Sequence, residues 1–332
     1  MAALCDTHGR RINYLRISVT DRCNLRCAYC MPAEGVPWQS DADRLSLDEI
    51  VQVVRAAADL GVTRVRLTGG EPLVRSDLPR LVSAIRRIYR IEEVSLTTNG
   101  LLLEQFAPAL ADAGLERVNI SLDTLNPQTF HRLTRFGDIR RVWRGIQAAE
   151  RAGLTPIKLN TVVIRGVNDA ELPSLAQLTV HHPWHVRFIE LMPVGNTGDW
   201  GVGFPAAQER YISVHEMRER LAPLGLLEAE APAGNGPART FRIPGAAGTV
   251  GFISPLGEHF CATCNRLRLT ADGRLRPCLL ETGEVPVREA LRAGQDLASL
   301  IIRAARLKPA GHELITATTP ASHTKMMYQI GG

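Results

Sequence analysis

The chain has no apolar run long enough to cross a bilayer, which takes about 20 consecutive apolar residues. Its first segment, Met1–Arg11, is polar and does not resemble a signal peptide. The chain as a whole contains no run of five or more basic residues, and its net charge of +5 is too dispersed to identify a partner. Repeats of solenoid length are also absent. We therefore expect a globular, cytoplasmic protein that binds neither a membrane nor a nucleic acid.

Cysteine is scarce but grouped, because six of the seven cysteines lie in two tight sets and only Cys5 stands apart. The first set has C-x3-C-x2-C spacing and consists of Cys23, Cys27 and Cys30. The second has C-x2-C-x13-C spacing and consists of Cys261, Cys264 and Cys278. Soft thiolate ligands suit an iron–sulfur cluster or zinc.

Each set supplies three sulfurs, whereas a cluster that only carries electrons normally takes four. A metal centre with one open position is typical of a catalytic site. A disulfide would need an oxidising compartment. A zinc knuckle would need a fourth ligand, and no Cys or His lies between Cys30 and His131. Both sets therefore favour iron–sulfur clusters, with structural zinc as the alternative.

Short β-rich runs alternate with amphipathic helices from Asn13 to about Gly225. A helix with a capping box at Ser46 and Glu49 lies between the first two runs. Such alternation predicts right-handed βαβ units and a parallel sheet. Six units are too few for an eight-stranded barrel, so the sequence predicts an α/β fold with a partial, TIM-like (β/α)6 barrel. The predicted strands are Tyr14–Val19, Thr63–Thr68, Glu93–Thr97, Arg117–Leu122, Ile157–Ile164 and His185–Leu191.

The composition changes after Leu226, where Glu228–Pro237 is rich in Ala, Gly, Pro and Glu and reads as a linker. Beyond it, Thr240–Ile243 and Thr249–Ile253 predict a hairpin, and Asp272-Gly273 predicts a second one. We therefore divide the chain into a core barrel, residues 1–227, and a smaller α+β cluster-binding domain, residues 228–332.

Basic residues occupy positions that a barrel would turn inward. Arg16, Arg66 and Lys158 lie on predicted strands, and Arg266 and Arg268 share one face of the second hairpin. Buried cations need anionic partners, and the guanidinium fork suits phosphate oxygens. The five side chains together predict an anionic substrate.

The first cysteine set, with Tyr29 before its last cysteine and Gly69-Gly70-Glu71-Pro72 after the second strand, resembles the radical S-adenosylmethionine (SAM) superfamily. The resemblance implies that SAM binds the open iron and is cleaved reductively to a 5′-deoxyadenosyl radical. The positions that match the superfamily's SAM contacts are Tyr29, Gly70, Ser121 and Met192.

Two three-cysteine sets in one chain resemble the GTP 3′,8-cyclase family of molybdenum cofactor biosynthesis. Further matches are residues 14–21, 66–72, 187–192 and 260–268, and the terminal Ile330-Gly331-Gly332. The resemblance implies two [4Fe-4S] clusters, of which the first generates the radical that takes a hydrogen from the ribose C3′ of GTP. The carbon radical then attacks C8, while the second cluster binds the guanine.

The same resemblance implies roles for individual residues. The positions that match GTP contacts are Arg16, Arg66, Thr97, Lys158, Arg266, Leu267 and Arg268, and the catalytic positions are Arg16, Arg266, Arg268, Gly331 and Gly332. It also implies an electron donor such as flavodoxin, and cyclic pyranopterin monophosphate synthase as the enzyme that takes the product. The oligomeric state would be a monomer or a homodimer.

A chain end is usually frayed, but Gly331 and Gly332 form a slim peptide that could enter a narrow channel. We expect them to reach the active site, as the family's Gly-Gly tail does.

Three alternatives for the function of the protein stay open. A radical SAM enzyme acting on RNA would need an added RNA-binding module, and one acting on a peptide would usually carry more cysteines. The third alternative is a zinc-binding interaction protein without catalysis.

Overall fold

The computed structural model describes residues 3–194, 198–231, 236–281, 283–312 and 326–331. The strands are β1 (Tyr14–Ser18), β2 (Arg64–Thr68), β3 (Glu93–Thr98), β4 (Arg117–Ser121), β5 (Lys158–Val163), β6 (His185–Glu190), β7 (Leu227–Glu228), β8 (Arg239–Arg242), β9 (Thr249–Ile253), β10 (Arg266–Leu269), β11 (Arg274–Arg276) and β12 (Val285–Pro286).

The α-helices are α1 (Leu47–Asp59), α2 (Leu78–Arg86), α3 (Leu103–Asp112), α4 (Pro127–Thr134), α5 (Ile139–Arg151), α6 (Leu172–His181), α7 (Val214–Leu221), α8 (Arg288–Arg292), α9 (Leu297–Arg306) and α10 (Met327–Ile330). Short 3₁₀ helices span Pro72–Val74, Asp169–Glu171, Ala207–Glu209, Ala222–Leu224 and Cys261–Thr263. In these ranges no helix combines the length and apolarity that a bilayer crossing requires.

All the described strands belong to one sheet, in the order β12-β11-β10-β1-β2-β3-β4-β5-β6-β9-β8-β7. Strands β1 to β6 are parallel neighbours, as predicted, and each lies within one residue of its expected bounds. The predicted α/β fold class is therefore confirmed. The apolar outer face of the sheet packs against the helices in one continuous core.

The chain beyond residue 228 continues the same sheet at both edges. Strand β9 pairs in parallel with β6, and β10 pairs in parallel with β1. The two predicted hairpins are confirmed as the antiparallel pairs β8–β9 and β10–β11. Eight consecutive strands are therefore parallel, two more than the local pattern indicated. The division at residues 227 and 228 stays a prediction.

The connection from β9 to β10 passes from one end of the eight parallel strands to the other. It contains only residues 254–265, which can span at most about 40 Å when extended. The buried carboxylate of Glu190 fixes its start by accepting hydrogen bonds from the N–H groups of Leu256 and Gly257, at 3.0 and 3.2 Å. The sheet therefore curves until β9 and β10 approach each other, and this connection carries Cys261 and Cys264 across the gap between them.

Helix α1 shows how local sequence positions the elements. Its predicted capping box is confirmed, because the Glu49 N–H donates to Ser46 Oγ at 3.2 Å and the Ser46 N–H donates to Glu49 Oε2 at 2.7 Å. The chain leaves the helix through Gly61, whose φ of +103° is a conformation that favours glycine. The reversal returns the chain to β2, which begins at Arg64.

Candidate active site

A cavity of about 320 Å³ opens inside the curved sheet, a size typical of small-molecule sites. Inward-facing side chains of β1 to β6 and β10 form its wall, and the loops that follow these strands form its rim. All six cysteines of the two sets line it. The structure thus brings the two thiol groups to one cavity although they are far apart in the chain.

The first cysteine set lies on a tight loop directly after β1. The Cys27 carbonyl accepts a hydrogen bond from the Cys30 N–H at 2.8 Å, and the Ala28 N–H donates to the carbonyl of Leu133 in α4 at 2.9 Å. The thiol of Cys27 interacts electrostatically with those of Cys23 and Cys30. The three sulfurs therefore converge, as the spacing predicts.

Burial raises the pKa of Cys23 and of Cys30 to about 12, and it raises the pKa of Cys27 well above its ordinary value. Such thiols become thiolates only where a metal offsets the cost of burying charge. All six cysteines are free, which argues against disulfides. Three converging thiols beside an open cavity fit a cluster with one iron that protein does not ligate.

The segment Gly69-Gly70-Glu71 packs against the cysteine loop itself. A Cβ on Gly70 would lie 2.4 Å from the Arg22 carbonyl oxygen, and one on Gly69 would lie 2.4 Å from that of Thr20. The Gly70 N–H donates to the Thr20 carbonyl at 2.8 Å. The close approach that glycine permits here is therefore to the backbone of the cysteine loop, while Gly70 also lines the cavity.

Glu71 is buried, and burial raises its pKa to about 7. Its carboxylate accepts hydrogen bonds from the Thr98 hydroxyl at 2.7 Å and from the N–H groups of Asn99 and Leu73 at 2.7 and 3.0 Å. This carboxylate therefore joins the loop after β2 to the end of β3.

The other positions that match SAM contacts also reach the cavity. Tyr29 donates its hydroxyl to Asp123 Oδ2 at 2.8 Å, and burial raises the pKa of Asp123 to about 6. Ser121 and Met192 line the same wall. Tyr29, Gly70, Ser121 and Met192 are thus brought to one cavity, beside the first cysteine set.

The second cysteine set lies on the β9–β10 connection and just after β11. The Cys264 N–H donates to the Cys261 carbonyl at 3.1 Å, and the Leu280 N–H donates to Cys278 Sγ at 3.4 Å. Burial opposes ionisation of Cys264, but the charges of Arg266 and Lys308 outweigh it and lower its pKa. This environment favours a thiolate and therefore a metal ligand.

Three arginines stand side by side on adjacent strands of the cavity wall. Arg16 in β1 is in register with Arg268 in β10 and with Arg66 in β2. Burial and then the neighbouring arginines lower the pKa of Arg16 well below its ordinary value, and the same causes lower that of Arg268 to about 10. An anion in the cavity would relieve this repulsion. Arg266 lines the cavity next to this row.

Two of the positions that match GTP contacts do not line the cavity. Leu267 is buried in the core on the opposite face of β10. Lys158 is 3% exposed and shares the inward face of β5 with Asn160 and Val162, which do line the cavity. Burial and then Arg187 and Arg117 lower the pKa of Lys158 to about 6. Thr97 does line the cavity, and its Oγ1 is buried without a hydrogen-bond partner among the described residues.

The last described segment, Met326–Gly331, lies against this site. The N–H of Tyr328 donates to the sulfur of Cys30, and Arg268 Nη1 donates to the Gly331 carbonyl at 2.6 Å. Gly331 is buried. Gly332 lies outside the described residues.

Three further residues of the site were missed from the sequence. Arg187, Lys308 and His312 all line the cavity. Arg187 Nη2 donates to Asn119 Oδ1 at 2.7 Å, and burial lowers the pKa of Arg187 to about 9. The alternation of side chains along β6 could have identified Arg187, because it shares a face with Ile189 and Leu191, which also line the cavity.

Comparison with known proteins agrees with this geometry. Residues 17–179 match the radical SAM superfamily, and residues 184–314 match the family described as Molybdenum Cofactor Synthesis C. The structure resembles that of Streptococcus suis SuiB bound to S-adenosylmethionine, with a TM-score of 0.63 and 14% identity over 93% of this chain and 68% of that one. This likeness shows the fold alone. The chain is thus a radical SAM protein with a molybdenum cofactor synthesis segment.

Within that class, curated relatives match from end to end. The chain is 51% identical to the GTP 3′,8-cyclase of Pelotomaculum thermopropionicum, over 98% of this chain and 99% of that protein. It is 50% identical to the GTP 3′,8-cyclase of Moorella thermoacetica, with the same coverage. The chain belongs to the GTP 3′,8-cyclase family.

Proposed function

We propose that this protein converts GTP to (8S)-3′,8-cyclo-7,8-dihydroguanosine 5′-triphosphate, the first step of molybdenum cofactor biosynthesis. The observation that carries the proposal is the single cavity onto which both three-cysteine sets and a row of arginines open. When bound, SAM and two [4Fe-4S] clusters would supply the radical that abstracts hydrogen and an iron site for the guanine.

The chain's own residues orient and enclose these groups. Cys23, Cys27 and Cys30 would bind the first cluster, and Tyr29, Gly70, Ser121 and Met192 would contact SAM from the neighbouring wall. Cys261, Cys264 and Cys278 would bind the second cluster. Because both sets line one cavity, the groups they bind would act on one substrate.

The arginines would bind the triphosphate and stabilise charge. Arg16, Arg66 and Arg268 form a continuous row, and Arg266 lies at its edge beside Cys264. A triphosphate offsets the mutual repulsion of guanidinium groups, and each charge-assisted hydrogen bond contributes about 1.5–3 kcal/mol. We add Arg187 to this set. Lys158 would act by its charge from the inward face of β5, and Leu267 would act by packing in the core.

The test is anaerobic reconstitution followed by turnover. Two four-iron clusters predict roughly eight irons per chain, and the loaded protein should consume GTP with formation of 5′-deoxyadenosine. Replacing Cys23, Cys27 and Cys30 by Ser should abolish SAM cleavage. Replacing Cys261, Cys264 and Cys278 by Ser should leave SAM cleavage but abolish GTP conversion. If GTP conversion survived the second replacement, the assigned role of the second set would be wrong.

The proposal extends to the partners and the compartment. A one-electron donor such as flavodoxin would reduce the first cluster, and cyclic pyranopterin monophosphate synthase would take the product. Iron–sulfur and radical chemistry favours a reducing compartment, so we propose a cytoplasmic protein that acts as a monomer or homodimer. The core barrel would be residues 1–227 and the cluster-binding domain residues 228–332.

A further inference from the structure

Two histidines that the proposed function does not use lie next to a cysteine of the second set. One ring nitrogen of His259, one of His312 and the sulfur of Cys261 all lie within 4.8 Å of one another. The two imidazoles meet edge to face, with ring centroids 4.6 Å apart. Two nitrogens and a sulfur in one small cluster are the donors that zinc and similar transition metals prefer.

A single backbone carbonyl orients both rings. His259 Nδ1 lies 3.1 Å and His312 Nε2 lies 2.8 Å from the Pro255 carbonyl oxygen. A carbonyl only accepts, so each of these nitrogens carries the proton and the other nitrogen of each neutral ring has the lone pair. Histidines that bind a metal are typically oriented in this way by a backbone carbonyl.

The lone pair on His312 Nδ1 accepts no hydrogen bond from the described residues. This nitrogen is buried. A buried acceptor without a partner is costly. The backbone N–H of His312 also donates to the sulfur of Cys261, which couples the positions of these two residues.

We propose that His259, Cys261 and His312 form a mononuclear site for a transition metal of the zinc class, which the cluster-free protein binds and which excludes the second cluster. On binding, the Cys261 thiol would release its proton to solvent and bind as a thiolate, while both histidines bind as neutral rings. The metal would keep its charge throughout, so the step needs no oxidant or reductant. A fourth position stays open to water or a substrate atom.

The geometry needs only a small adjustment. Zinc bonds of 2.0–2.3 Å in a tetrahedron place neighbouring ligand atoms roughly 3.3–3.7 Å apart. The three atoms therefore have to close by about 1.5 Å at most, and His259 is exposed and has room to shift.

Cys261 belongs both to the proposed zinc site and to the cysteine set of the second cluster. The same sulfur cannot be a ligand of both a lone zinc ion and an iron–sulfur cluster, so zinc should block assembly of the second cluster. The exclusion of the cluster by zinc rests on the proposed function, which assigns Cys261 to the second cluster. The zinc site itself does not rest on that function. The experiment therefore measures zinc binding and cluster assembly separately.

The first measurement titrates Co²⁺ and then Zn²⁺ into the full-length, cluster-free chain with Cys23, Cys27 and Cys30 replaced by Ser. One Co²⁺ per chain should bind, with the visible absorption of a tetrahedral thiolate site, and Zn²⁺ should displace it. The double variant His259→Ala, His312→Ala should weaken zinc binding by at least about 100-fold. Loss of a residue that only hydrogen-bonds to a metal ligand already costs up to about 100-fold, and this variant loses two ligands.

Two controls separate this site from the cysteine set. His215→Ala changes an exposed histidine of α7 and should leave the zinc Kd unchanged. Cys264→Ser with Cys278→Ser should also leave it unchanged. The opposite pattern, with loss in the cysteine variant and none in the histidine variant, would overturn the proposal in favour of a three-cysteine zinc site. If the triple Ser background does not fold, the same histidine comparison in the unsubstituted cluster-free chain decides the question.

The second measurement reconstitutes the triple Ser chain with iron and sulfide, with and without one prior equivalent of zinc. About four irons should enter without zinc and fewer than one with it, and the histidine double variant should restore incorporation in the presence of zinc. Zinc that binds without lowering iron incorporation would overturn the exclusion. Failure to take up iron without zinc would instead refute the second cluster of the proposed function, while the titration would still decide the zinc site.

Discussion

Gly331 offers a direct test of whether the docked tail matters, because alanine should not fit there. Its φ of +80° costs an ordinary residue about 1–2 kcal/mol. A Cβ would lie 2.7 Å from Thr68 Cγ2 and 3.2 Å from Ser18 Cβ, and overpacking of this kind costs about 1–3 kcal/mol. The sum is about 2–5 kcal/mol, and each 1.4 kcal/mol is about tenfold in an equilibrium. Gly331→Ala should therefore reduce the ratio of docked to undocked tail by about 30-fold or more.

The assay is product formed per reconstituted chain, with iron content measured in parallel. Product should fall severely while iron content stays unchanged, because the residues that would bind the clusters are not altered. Gly294→Ala is the matched control, since that glycine also has a positive φ, +67°, but a Cβ would contact nothing within 4 Å.

A second substitution tests the steric argument itself. Thr68→Ser removes the methyl group that the new Cβ would approach, so the double variant Gly331→Ala, Thr68→Ser should regain the part of the loss that overpacking causes. Full turnover by Gly331→Ala would refute the role of the docked tail. If the double variant recovered no turnover, the contact between the new Cβ and Thr68 Cγ2 would not be the cause of the loss. Deletion of Gly331 and Gly332 should reproduce the loss, and a synthetic peptide with the same end should restore part of it.

Three further predictions concern single side chains. Arg10 donates to the carbonyls of Cys261, Pro309 and Ala310, so Arg10→Ala should lower the free energy of unfolding by about 3 kcal/mol. The control Arg11→Ala changes an exposed neighbour and should alter that free energy by less than about 0.5 kcal/mol. Equal thermal unfolding of the two variants would contradict this prediction. The pKa of Lys158 is about 6 in the folded protein and 10.5 ordinarily, so between these values the unfolded chain binds the extra proton and stability should rise with pH, by up to about 1.4 kcal/mol per unit. Lys158→Met should flatten that rise in denaturant titrations at pH 6.5 and 8.5, and an unchanged slope would disprove the assignment. Arg187→Ala should weaken GTP binding by about 10- to 100-fold with both clusters intact, and unaltered binding would remove Arg187 from the substrate site.

Local sequence was enough to identify the elements that repeat. The six parallel strands were predicted within one residue because short β-rich runs are separated by helices with clear caps and glycine ends, as at Ser46 and Gly61. The cysteine spacings identified both thiol groups for a similar reason. A loop or hairpin of that length can close only in a few ways, so three nearby sulfurs must converge.

Tertiary structure decided what is far apart in the chain. No local pattern shows that β9 would lie beside β6 and β10 beside β1, since strand order depends on pairing between distant segments. That order places Arg268 next to Arg16 and brings the second cysteine set to the gap between β9 and β10. It also brings Arg187, Lys308 and His312 to the cavity, while Lys158, on the inward face of β5, and Leu267, on the outer face of β10, lie outside its lining. Side-chain alternation along a strand is a local property, but the face that becomes a binding site is set by which strands close around it.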